Sequence, residues 1–430
     1  MSPDLEQNQL AESWKDKLLR LMESGAHGEA WAVCQRAIAQ HPDSPELLVS
    51  AATVLMKLDQ AAEAERYVAK AAALRPHSPV IWNNLGLALR NQNRLAESLE
   101  CFERALRLDP DWARAHYDRA FSLLLAGDYG QGFREYEHRW RANDLERPGD
   151  SEPEMRRRLW SGEDPKGKRI LLYAEQGLGD TIQFVRYVAP LQARGAHVAL
   201  DVQPELRGLV RWLLPECEVG DGDATAAFDL HCSLMTLPLN FLTTPETIPP
   251  PAVFLFPEAM RTKWKAKTFS GDQLKVGLVW AGSPENPMDD RRSTHLAAFE
   301  PILSDDVLRK KARFFSFQVG SRAPEIAQAR YRGTIYDLNP ELNAATETAA
   351  ALAQMDLVIA VDTFVAHLAA SLGVTVWLLL PFAPDWRWLL EREDSPWYPS
   401  IRLFRQSVAG DWAGVIARVR DALNNLRNSR

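Results

Sequence analysis

The N-terminal part of the chain alternates apolar and polar positions with a helical period, and this pattern repeats every 34 residues. Prolines recur at Pro42, Pro76 and Pro110. Small residues recur in the same frame, at Ala30, Ala64, Ser98, Ala37, Ala71 and Ala105. Because small side chains let two helices approach closely, the pattern predicts helix–turn–helix units stacked into a solenoid.

The segment from Pro79 to Trp112 has the fullest repeat pattern. It has side chains at the offsets of a tetratricopeptide repeat, namely Trp82, Leu85, Gly86, Leu89, Phe102, Ala105 and Pro110. Flanking copies run from about Ala11 to Ser44 and from Pro45 to Ser78. A weaker fourth copy begins near Ala113 and loses the pattern at GQGFREYEHRW. We therefore predict a tetratricopeptide domain over residues 1–145.

Stacked repeats of this kind form a superhelix whose concave face is lined by the first helix of each pair, and such faces usually bind peptides. In this frame, four polar residues of the third copy are predicted to line the groove: Asn83, Asn84, Arg90 and Asn91. The simpler alternative is that these residues are solvated helix positions. We expect the groove to recruit a protein partner.

The pattern changes after residue 145. Residues 146–167 are polar and contain several prolines, which break helices, so they predict a linker. Beyond them, short apolar runs such as RILLYAE at 169–175 and DLVIAVD at 356–362 alternate with amphipathic segments. This alternation is typical of parallel sheets covered by helices. We predict an α/β region of two doubly wound, Rossmann-like lobes.

A proline-rich segment, TTPETIPPPAVFLFP, divides the α/β region. It separates a first lobe at 168–250 from a second lobe at 251–410. A C-terminal helix is predicted over 411–430. Ligands of doubly wound sheets bind beyond the carboxyl ends of the strands, so the turns that leave those ends are the candidate sites.

In the first lobe, the turn Gln176-Gly177-Leu178-Gly179-Asp180 links the first strand to a helix. Glycines let a substrate approach the backbone, and Asp180 is placed at the helix N-terminus, in the cleft. The alternative to a catalytic role is that Asp180 only caps its helix.

In the second lobe, DLVIAVDTFVAHLAASLG places Asp362 and Thr363 where a buried strand turns into a helix. His367 lies one turn further along, on the same helix face as Thr363. Backbone N–H groups and the positive end of the helix dipole favour a diphosphate or a ribose here. The alternatives are that Asp362 and Thr363 cap the helix and that His367 packs between the lobes.

Two further strand-end segments contain candidate side chains. The loop after KVGLVWAGS contains Ser283, Arg291 and Arg292, and hydroxyl and guanidinium groups suit phosphate oxygens. Surface decoration is the alternative for the two arginines. The segment PFAPDWRWLLEREDSPWY at 381–398 is rich in aromatics, which favours packing between the lobes over stacking on a nucleobase.

Composition narrows the function. The 430-residue chain has 50 Lys and Arg and 57 Asp and Glu, which gives a net charge of −7. Because the chain has no overall positive charge to attract phosphates, nucleic-acid binding is not expected as its main function. Four widely separated cysteines, Cys34, Cys101, Cys217 and Cys232, predict free thiols in a reducing compartment. The N-terminus lacks the apolar run of a signal peptide, and no apolar stretch is long enough to span a membrane. We expect a cytoplasmic protein with no transmembrane segment.

Taken together, these motifs resemble the heptosyltransferase family of GT-B glycosyltransferases. They are fused behind tetratricopeptide repeats as in bacterial protein-glycosylating enzymes of the flagellin-modifying kind. The resemblance covers the chain from about Lys168 to its end and rests on GLGDTIQFVRY, VGLVWAGSP, DLVIAVDTFVAHLAASLG and PDWRW. It implies that Asp180 is the catalytic base and that Asp362, Thr363 and His367 bind the nucleotide-sugar donor.

The implied reaction is an inverting transfer, in which an acceptor hydroxyl loses its proton to Asp180 and attacks the anomeric carbon. The nucleotide sugar is a co-substrate, and neither a cofactor nor a metal is expected, since no Asp-x-Asp motif accompanies the donor residues. The repeat groove would bind a protein acceptor such as flagellin. One alternative is a saccharide or lipopolysaccharide acceptor.

The other alternative is a non-catalytic adaptor with a degenerate GT-B domain. Two departures from the family pattern favour it. Phe364 stands at the family's glycine, and the phosphate-loop lysine is missing, with Arg291 or Arg292 as the nearest substitute.

Overall fold

The computed structural model describes residues 14–145, 157–220, 228–252, 257–268, 272–328 and 333–426. The chain divides into two compact units between Leu145 and Glu146. Most of the predicted linker, residues 146–156, and both ends of the chain, 1–13 and 427–430, lie outside the described residues.

The N-terminal unit is built from helices in consecutive pairs. The first helix, α1, covers residues 14–23. The others are α2 (His27–Gln40), α3 (Pro45–Lys57), α4 (Ala61–Leu74), α5 (Pro79–Arg90), α6 (Leu95–Leu108), α7 (Ala113–Leu125), α8 (Tyr129–Tyr136) and α9 (Arg139–Ala142). Because α3, α5 and α7 begin 34 residues apart, the predicted period is confirmed.

Small side chains bring these helices together. The recurring small residues are all buried, from Ala30 in α2 to Ala105 in α6. Gly86 in α5 leaves no room for a side chain, since a Cβ there would lie 2.8 Å from the ring of Phe102 in α6. The fourth pair is short because α8 ends at Tyr136, within the segment where the repeat pattern is lost.

The C-terminal unit contains two parallel sheets. The first lobe has a four-stranded sheet ordered β3-β2-β1-β4, and the second has a six-stranded sheet ordered β10-β9-β8-β5-β6-β7. The strands are β1 (Arg169–Tyr173), β2 (His197–Asp201), β3 (Glu218–Val219), β4 (Leu230–Ser233), β5 (Leu274–Val279), β6 (Ala312–Ser316), β7 (Ile335–Asp337), β8 (Leu357–Val361), β9 (Thr375–Leu380) and β10 (Ile401–Arg405). Every strand pair is parallel, so the prediction of two Rossmann-like lobes behind a helical repeat region is confirmed.

Helices connect and cover these strands. In the first lobe they are α10 (Leu178–Phe184), α11 (Val188–Ala193), α12 (Pro204–Leu213) and α13 (Leu237–Asn240). In the second lobe they are α14 (Glu258–Thr268), α15 (Asp289–Arg292), α16 (Glu300–Leu303), α17 (Asp306–Lys311), α18 (Ala345–Leu352), α19 (Phe364–Ser371) and α20 (Trp412–Asn425). The predicted C-terminal helix is α20, and it packs on the second-lobe core through Val415, Ile416, Val419 and Leu423.

Strand order places two turns at the centre of their sheets. β1 lies between β2 and β4, and β8 lies between β5 and β9. The turns after β1 and β8 therefore leave the carboxyl ends of inner strands, where doubly wound sheets bind ligands. No helix in the described ranges combines the length and apolarity needed to cross a bilayer.

Residues 157–167 were predicted as linker but pack on the first lobe. Leu159 forms a parallel bridge with His231 in β4, and the N–H of Trp160 donates to the His231 carbonyl at 2.9 Å. The Trp160 side chain is fully buried. The apolar surface of this one tryptophan holds the segment in place despite its polar composition.

Candidate functional site

The turn after β1 is held by the carboxylate of Asp180. Gly177 is the N-cap residue of α10, and its N–H donates to Asp180 Oδ2 at 2.9 Å. The carbonyl of Gln176 accepts a hydrogen bond at 2.7 Å from Gln203, which follows β2. Asp180 therefore does order the start of its helix, as the capping alternative requires, but that contact uses only one of its two oxygens.

An arginine of the second lobe contacts the other oxygen of Asp180. Arg387 Nη2 forms an ion pair with Asp180 Oδ1. Its Nε donates to Gln183 Oε1 at 2.6 Å, and its Nη1 donates to Asp385 Oδ1 at 2.8 Å. Only 8% of the Arg387 side chain is exposed. This buried guanidinium joins α10 of the first lobe to the turn that follows β9 in the second.

The N-terminus of α19 has no side-chain cap. Thr363 occupies the N-cap position in an extended conformation, but its side chain makes no capping hydrogen bond. The buried Thr363 Oγ1 has no hydrogen-bond partner within the described part of the chain. The capping alternative for Thr363 is therefore not observed, and the first N–H groups of α19 are not satisfied by a side chain.

Asp362 is held from two directions. Its Oδ2 accepts from Trp388 Nε1 at 2.8 Å, and its Oδ1 lies 3.5 Å from His367 Nε2. Burial acts to raise the pKa of Asp362, but the hydrogen bond and charge of His367, the Trp388 bond and the charge of Arg292 bring it below its ordinary value. Asp362 is thus an ionised, oriented carboxylate that does not cap α19.

His367 packs between the lobes, as the alternative prediction held. Its Nδ1 lies 3.0 Å from the Tyr398 hydroxyl, and its ring is buried. On the first-lobe side, a Cβ at Gly179 would lie 3.1 Å from His367 Cδ2 and 3.6 Å from Phe364 Cα. With both ring nitrogens facing protein groups, His367 orients its neighbours, and direct contact with a donor stays a prediction.

A second buried arginine crosses the boundary between the two lobes, where α10 meets α19 and the segment after β9; we call this boundary the seam. Arg186 Nη1 donates to the carbonyl of Trp397 at 2.7 Å and to that of Pro249 at 3.2 Å. Its guanidinium lies 4.7 Å from the ring centre of Tyr398, and burial lowers its pKa. The two lobes are therefore in close polar contact around α10 and α19.

Of the three residues predicted on the loop after β5, Arg292 acts on Asp362 through its charge. Its Nε donates to Asp289 Oδ1 at 3.2 Å, and its positive charge helps to lower the pKa of Asp362. A Cβ at Gly282 would lie 2.4 Å from Arg292 Nη2, so the absent side chain at Gly282 is what lets the guanidinium lie against the strand end. Ser283 is exposed, and its Oγ accepts from the Glu285 N–H at 3.3 Å.

Arg291 is half-buried in α15. Which of the two adjacent arginines reaches a ligand stays a prediction.

The predicted groove residues of the N-terminal unit mainly join neighbouring repeats. Asn83 is buried, and its Nδ2 donates to Asp118 Oδ2 in α7 at 2.8 Å. Arg90 Nη1 donates to the carbonyl of Asp118 at 3.0 Å. The prediction of an open groove contact is therefore wrong for Asn83, because its side chain is buried and its Nδ2 bonds to the next repeat.

The other two predicted groove residues are half-buried. Asn84 Nδ2 donates to the carbonyl of Val80 within α5 at 2.8 Å. Asn91 Nδ2 lies 3.6 Å from the sulfur of Met56 in α3. Their role in binding a partner stays a prediction.

Two grooves lie elsewhere on the second lobe. One, of about 880 Å³, runs between β10 and α20 and is lined by side chains that include Arg392, Arg402 and Arg405. The other, of about 960 Å³, is lined by α14 and the end of α19. Neither contains a predicted site residue. Among the described residues, no group of three His, Cys, Asp or Glu side chains is arranged to hold a metal ion.

Sequence reasoning missed how the segment after β9 is used. The aromatic-rich sequence predicts Arg387 and Trp388 as part of a packing segment, whereas they bond to Asp180 and Asp362 respectively. No role is predicted for Gln183 from the sequence. The available signal was their position, since the segment leaves the carboxyl end of β9, next to β8.

Two family profiles of the tetratricopeptide repeat match the N-terminal unit, over residues 21–85 and residues 79–111. These ranges include the helices from α2 to α6 that show the 34-residue spacing. The N-terminal unit is a tetratricopeptide repeat domain. The tetratricopeptide domain and the two lobes together are similar to a longer relative, Protein FlbA of Caulobacter vibrioides. The identity is 29% over 450 aligned residues, which cover 90% of this chain and 74% of FlbA.

Solved structures with a similar C-terminal unit include two glycosyltransferases. The E. coli ADP-heptose lps heptosyltransferase II has 11% identity and a TM-score of 0.45, over 60% of this chain and 98% of that chain. The family 9 glycosyl transferase of Veillonella parvula has 13% identity and a TM-score of 0.45, over 60% of this chain and 97% of that chain.

Proposed function

We propose that the two-lobed unit is an inverting glycosyltransferase that moves a sugar from a nucleotide-sugar donor to an acceptor. One observation supports this most strongly. The first turn of α10, with the carboxylate of Asp180, packs against the first turn of α19, since a Cβ at Gly179 would lie only 3.1 Å from His367 Cδ2. A carboxylate of one lobe and an uncapped helix N-terminus of the other are thereby brought to the same seam.

The donor diphosphate would bind at the second-lobe side of this seam. The uncapped N–H groups of α19 and the unpartnered hydroxyl of Thr363 are hydrogen-bond donors that a phosphate oxygen accepts. Arg292 supplies a positive charge near Asp362 and takes the role of the family's missing lysine. These groups would stabilise the negative charge that develops on the leaving diphosphate, so we assign no metal and no cofactor to the step.

The acceptor would bind at the first-lobe side. Asp180 takes the proton of an acceptor hydroxyl, whose oxygen attacks the anomeric carbon of the donor. A new carbon–oxygen bond forms as the bond from that carbon to the diphosphate oxygen breaks, and the nucleoside diphosphate carries away the electron pair. The sugar is transferred with inversion.

We further propose that the tetratricopeptide domain recruits a protein acceptor such as flagellin. Concave repeat surfaces bind peptides, and Asn84, Arg90 and Asn91 keep part of their side chains accessible. The four cysteines are free and buried, which fits a reducing compartment, so we place the activity in the cytoplasm.

A saccharide or lipopolysaccharide acceptor is the alternative, with the repeats serving assembly. Deleting residues 1–145 separates the two possibilities. Recruitment by the repeats predicts a selective loss of transfer to protein, with hydrolysis of the donor unchanged.

A non-catalytic adaptor is the other alternative. Both carboxylate oxygens of Asp180 and both ring nitrogens of His367 face protein groups, which a purely structural role for these residues would also explain. The adaptor predicts that the protein binds its partner through the repeats and transfers no sugar.

Binding of nucleotide sugars tests the proposal. The full chain is heated with ADP-, UDP-, GDP- and CMP-sugars, and the matched donor at 100 times its Kd should add about 2.7 kcal/mol to the free energy of unfolding. CMP-sugars are the built-in control, because they lack a diphosphate. Stabilisation by one nucleoside-diphosphate sugar, followed by transfer to an acceptor, supports the enzyme. The absence of stabilisation by any of them would favour the adaptor.

A further inference from the structure

One short turn of the second lobe contacts both functional carboxylates. The turn leaves β9, begins at Asp385 and contains a single 3₁₀ turn, Trp386–Trp388. Two neighbouring side chains point to different partners: Arg387 to Asp180 in the first lobe, and Trp388 to Asp362 in the second. We propose that Arg387 and Trp388 are positioning residues that together set the spacing between the acceptor-side and donor-side carboxylates.

The turn is built to keep its shape. Asp385 Oδ1 accepts from the backbone N–H of Arg387 at 3.0 Å and from its Nη1 at 2.8 Å. The carbonyl of Trp388 accepts from Arg405 Nη2 at 2.6 Å. The next residue, Leu389, is held at φ 52° and ψ −169°, a backbone conformation that non-glycine residues rarely adopt. Such strain persists only where surrounding contacts fix the backbone, and it is concentrated at functional sites.

Arg387 fixes Asp180 because it removes the freedom of that side chain. One carboxylate oxygen of Asp180 accepts from the Gly177 N–H and the other from Arg387 Nη2, so rotation of the carboxylate breaks a bond in either direction. Gln183 holds the same guanidinium from α10 at 2.6 Å. Without Arg387, Asp180 loses the bond that orders its second oxygen, and its more mobile carboxylate holds the Gly177 N–H less tightly.

Trp388 acts on the donor side through its indole N–H. That N–H is the only hydrogen-bond donor of the side chain, and it bonds to Asp362 Oδ2 at 2.8 Å. The ring of Trp388 also lies 5.5 Å from the ring of His367, measured between centroids. Phenylalanine at this position keeps the aromatic packing and removes the hydrogen bond.

The two contacts predict separable effects. Arg387 and Trp388 are adjacent in one turn, but they orient side chains of different lobes. Arg387 orients Asp180 in the first lobe, and Trp388 orients Asp362 in the second. This inference rests on the proposed transfer for its meaning, but its geometry can be tested without any sugar transfer, through hydrogen exchange at the backbone amides around the two carboxylates.

The experiment compares Arg387→Gln, Trp388→Phe and the control Arg402→Gln in the full chain. Arg402 lies on β10, is half-exposed, pairs with exposed Glu393 at 3.2 Å and lies 4.8 Å from the ring centre of Phe404. Hydrogen–deuterium exchange is followed at the amide of Gly177 and at the amides of residues 362–367. Binding of ADP, UDP and GDP is measured by titration calorimetry, and kcat and KM are measured with the donor that the thermal screen selects.

Arg387→Gln is expected to speed exchange at Gly177 about tenfold. It should also lower kcat about a hundredfold through misplacement of Asp180. Nucleoside diphosphate affinity should stay within about threefold of the parent, because α19 is untouched. Trp388→Phe is expected to speed exchange at residues 362–367 and to weaken nucleoside diphosphate binding about tenfold, the order of one hydrogen bond to a charged group. Arg402→Gln should change the exchange rate neither at Gly177 nor at residues 362–367.

Equal effects of both variants on both peptides, or no effect on either, would overturn the positioning role. If Arg387→Gln does not fold, Arg387→Lys retains the charge. It should preserve slow exchange at Gly177 with an intermediate kcat, and fast exchange there would contradict the proposal. If no nucleotide binds to the parent protein while the exchange pattern is as expected, the proposed function fails and the positioning contacts stand. If nucleotides bind and the exchange pattern is absent, the positioning role alone fails.

Discussion

The two units of this protein bury their polar side chains in different ways. In the tetratricopeptide domain, buried polar groups join one repeat to the next: Asn83 bonds to Asp118, and Ser98 lies 3.0 Å from Ser122. In the two-lobed unit, charged groups with little exposure lie at the seam between the lobes. Arg387 is ion-paired with Asp180, and the neighbouring Trp388 donates to Asp362.

Under the proposed function, the difference reflects a site in the two-lobed unit. Bonds between repeats add stability locally, because each repeat contacts mainly its neighbours. A guanidinium with 8% exposure that bonds to carboxylates of two lobes costs desolvation energy and contributes little net stability. Under the proposed function, this cost is explained by the carboxylate that Arg387 positions.

The largest expected effect is the loss of transfer in Asp180→Asn. Without a base, kcat should fall by about 10² to 10⁴-fold, while nucleoside diphosphate binding is kept because α19 is unchanged. Steady-state kinetics and calorimetry measure the two quantities. The control is Asp306→Asn on α17, where the side chain is 88% exposed. Full activity in Asp180→Asn would remove this residue from the mechanism.

Thiol reactivity compares the two units directly. Burial raises the pKa of three cysteine thiols to about 11: Cys34 and Cys101 in the tetratricopeptide domain, and Cys217 in the two-lobed unit. At pH 8, their alkylation by iodoacetamide should therefore be about a hundredfold slower than in urea. A raised pKa also means that the stability these thiols confer is present below their ordinary pKa and declines as pH rises towards 11. Fast labelling of one native unit alone would show that its core is open.

Gly86→Ala tests the close helix packing of the repeats. The added methyl would lie 2.8 Å from the buried ring of Phe102, and such overpacking costs about 1–3 kcal/mol. Gly28→Ala in α2 is the matched control, since nothing lies within 4 Å of its Cβ, and it should add about 0.5 kcal/mol of helix stability. Thermal unfolding measures both. Transfer activity of the folded Gly86→Ala protein on a small saccharide should not change, and a large drop would show that the two units are not independent.

The smallest expected effect is in the acid range. The folded-state pKa of Asp362 is below its ordinary value, so its stabilising contribution is fully present above the ordinary pKa and declines as pH falls through it. Asp362→Asn should therefore be less stable than the parent at neutral pH and should lose less stability between neutral pH and about pH 3. Denaturation midpoints across this range measure the slope, with Asp306→Asn as the control. An unchanged slope would contradict the ion pair with His367.

The sequence was most informative where a pattern repeats. The 34-residue period located the starts of α3, α5 and α7, because the same packing demand recurs in every hairpin. The apolar strands β5, β8 and β9 were also predicted, since a strand buried on both faces reads as a continuous apolar run. Strands β3, β4 and β7 were missed because they have only 2, 4 and 3 residues, and β10 was missed because Arg402 and Arg405 interrupt its apolar run.

The candidate site was predicted in part. Asp180, Asp362 and Thr363 were found because they follow glycine-rich or apolar segments at strand ends. Arg387 and Asp180 are separated by 207 residues of sequence, and a local sequence pattern does not predict a contact between residues so far apart in the chain. Long sequence separation also explains the wrong prediction for Asn83. Its position on the helix was predicted, but the carboxylate that accepts its hydrogen bond, Asp118, belongs to the next repeat.

The central claim is that a nucleoside diphosphate binds at the N-terminus of α19, facing Asp180. Photo-cross-linking with azido-substituted ADP and UDP, followed by peptide mapping, tests it most directly. We predict that the label lies on peptides containing residues 357–371 or 174–184 and that excess unlabelled nucleotide removes it. Competable labelling instead of residues 391–405 and 412–426, which line the groove between β10 and α20, would contradict the claim.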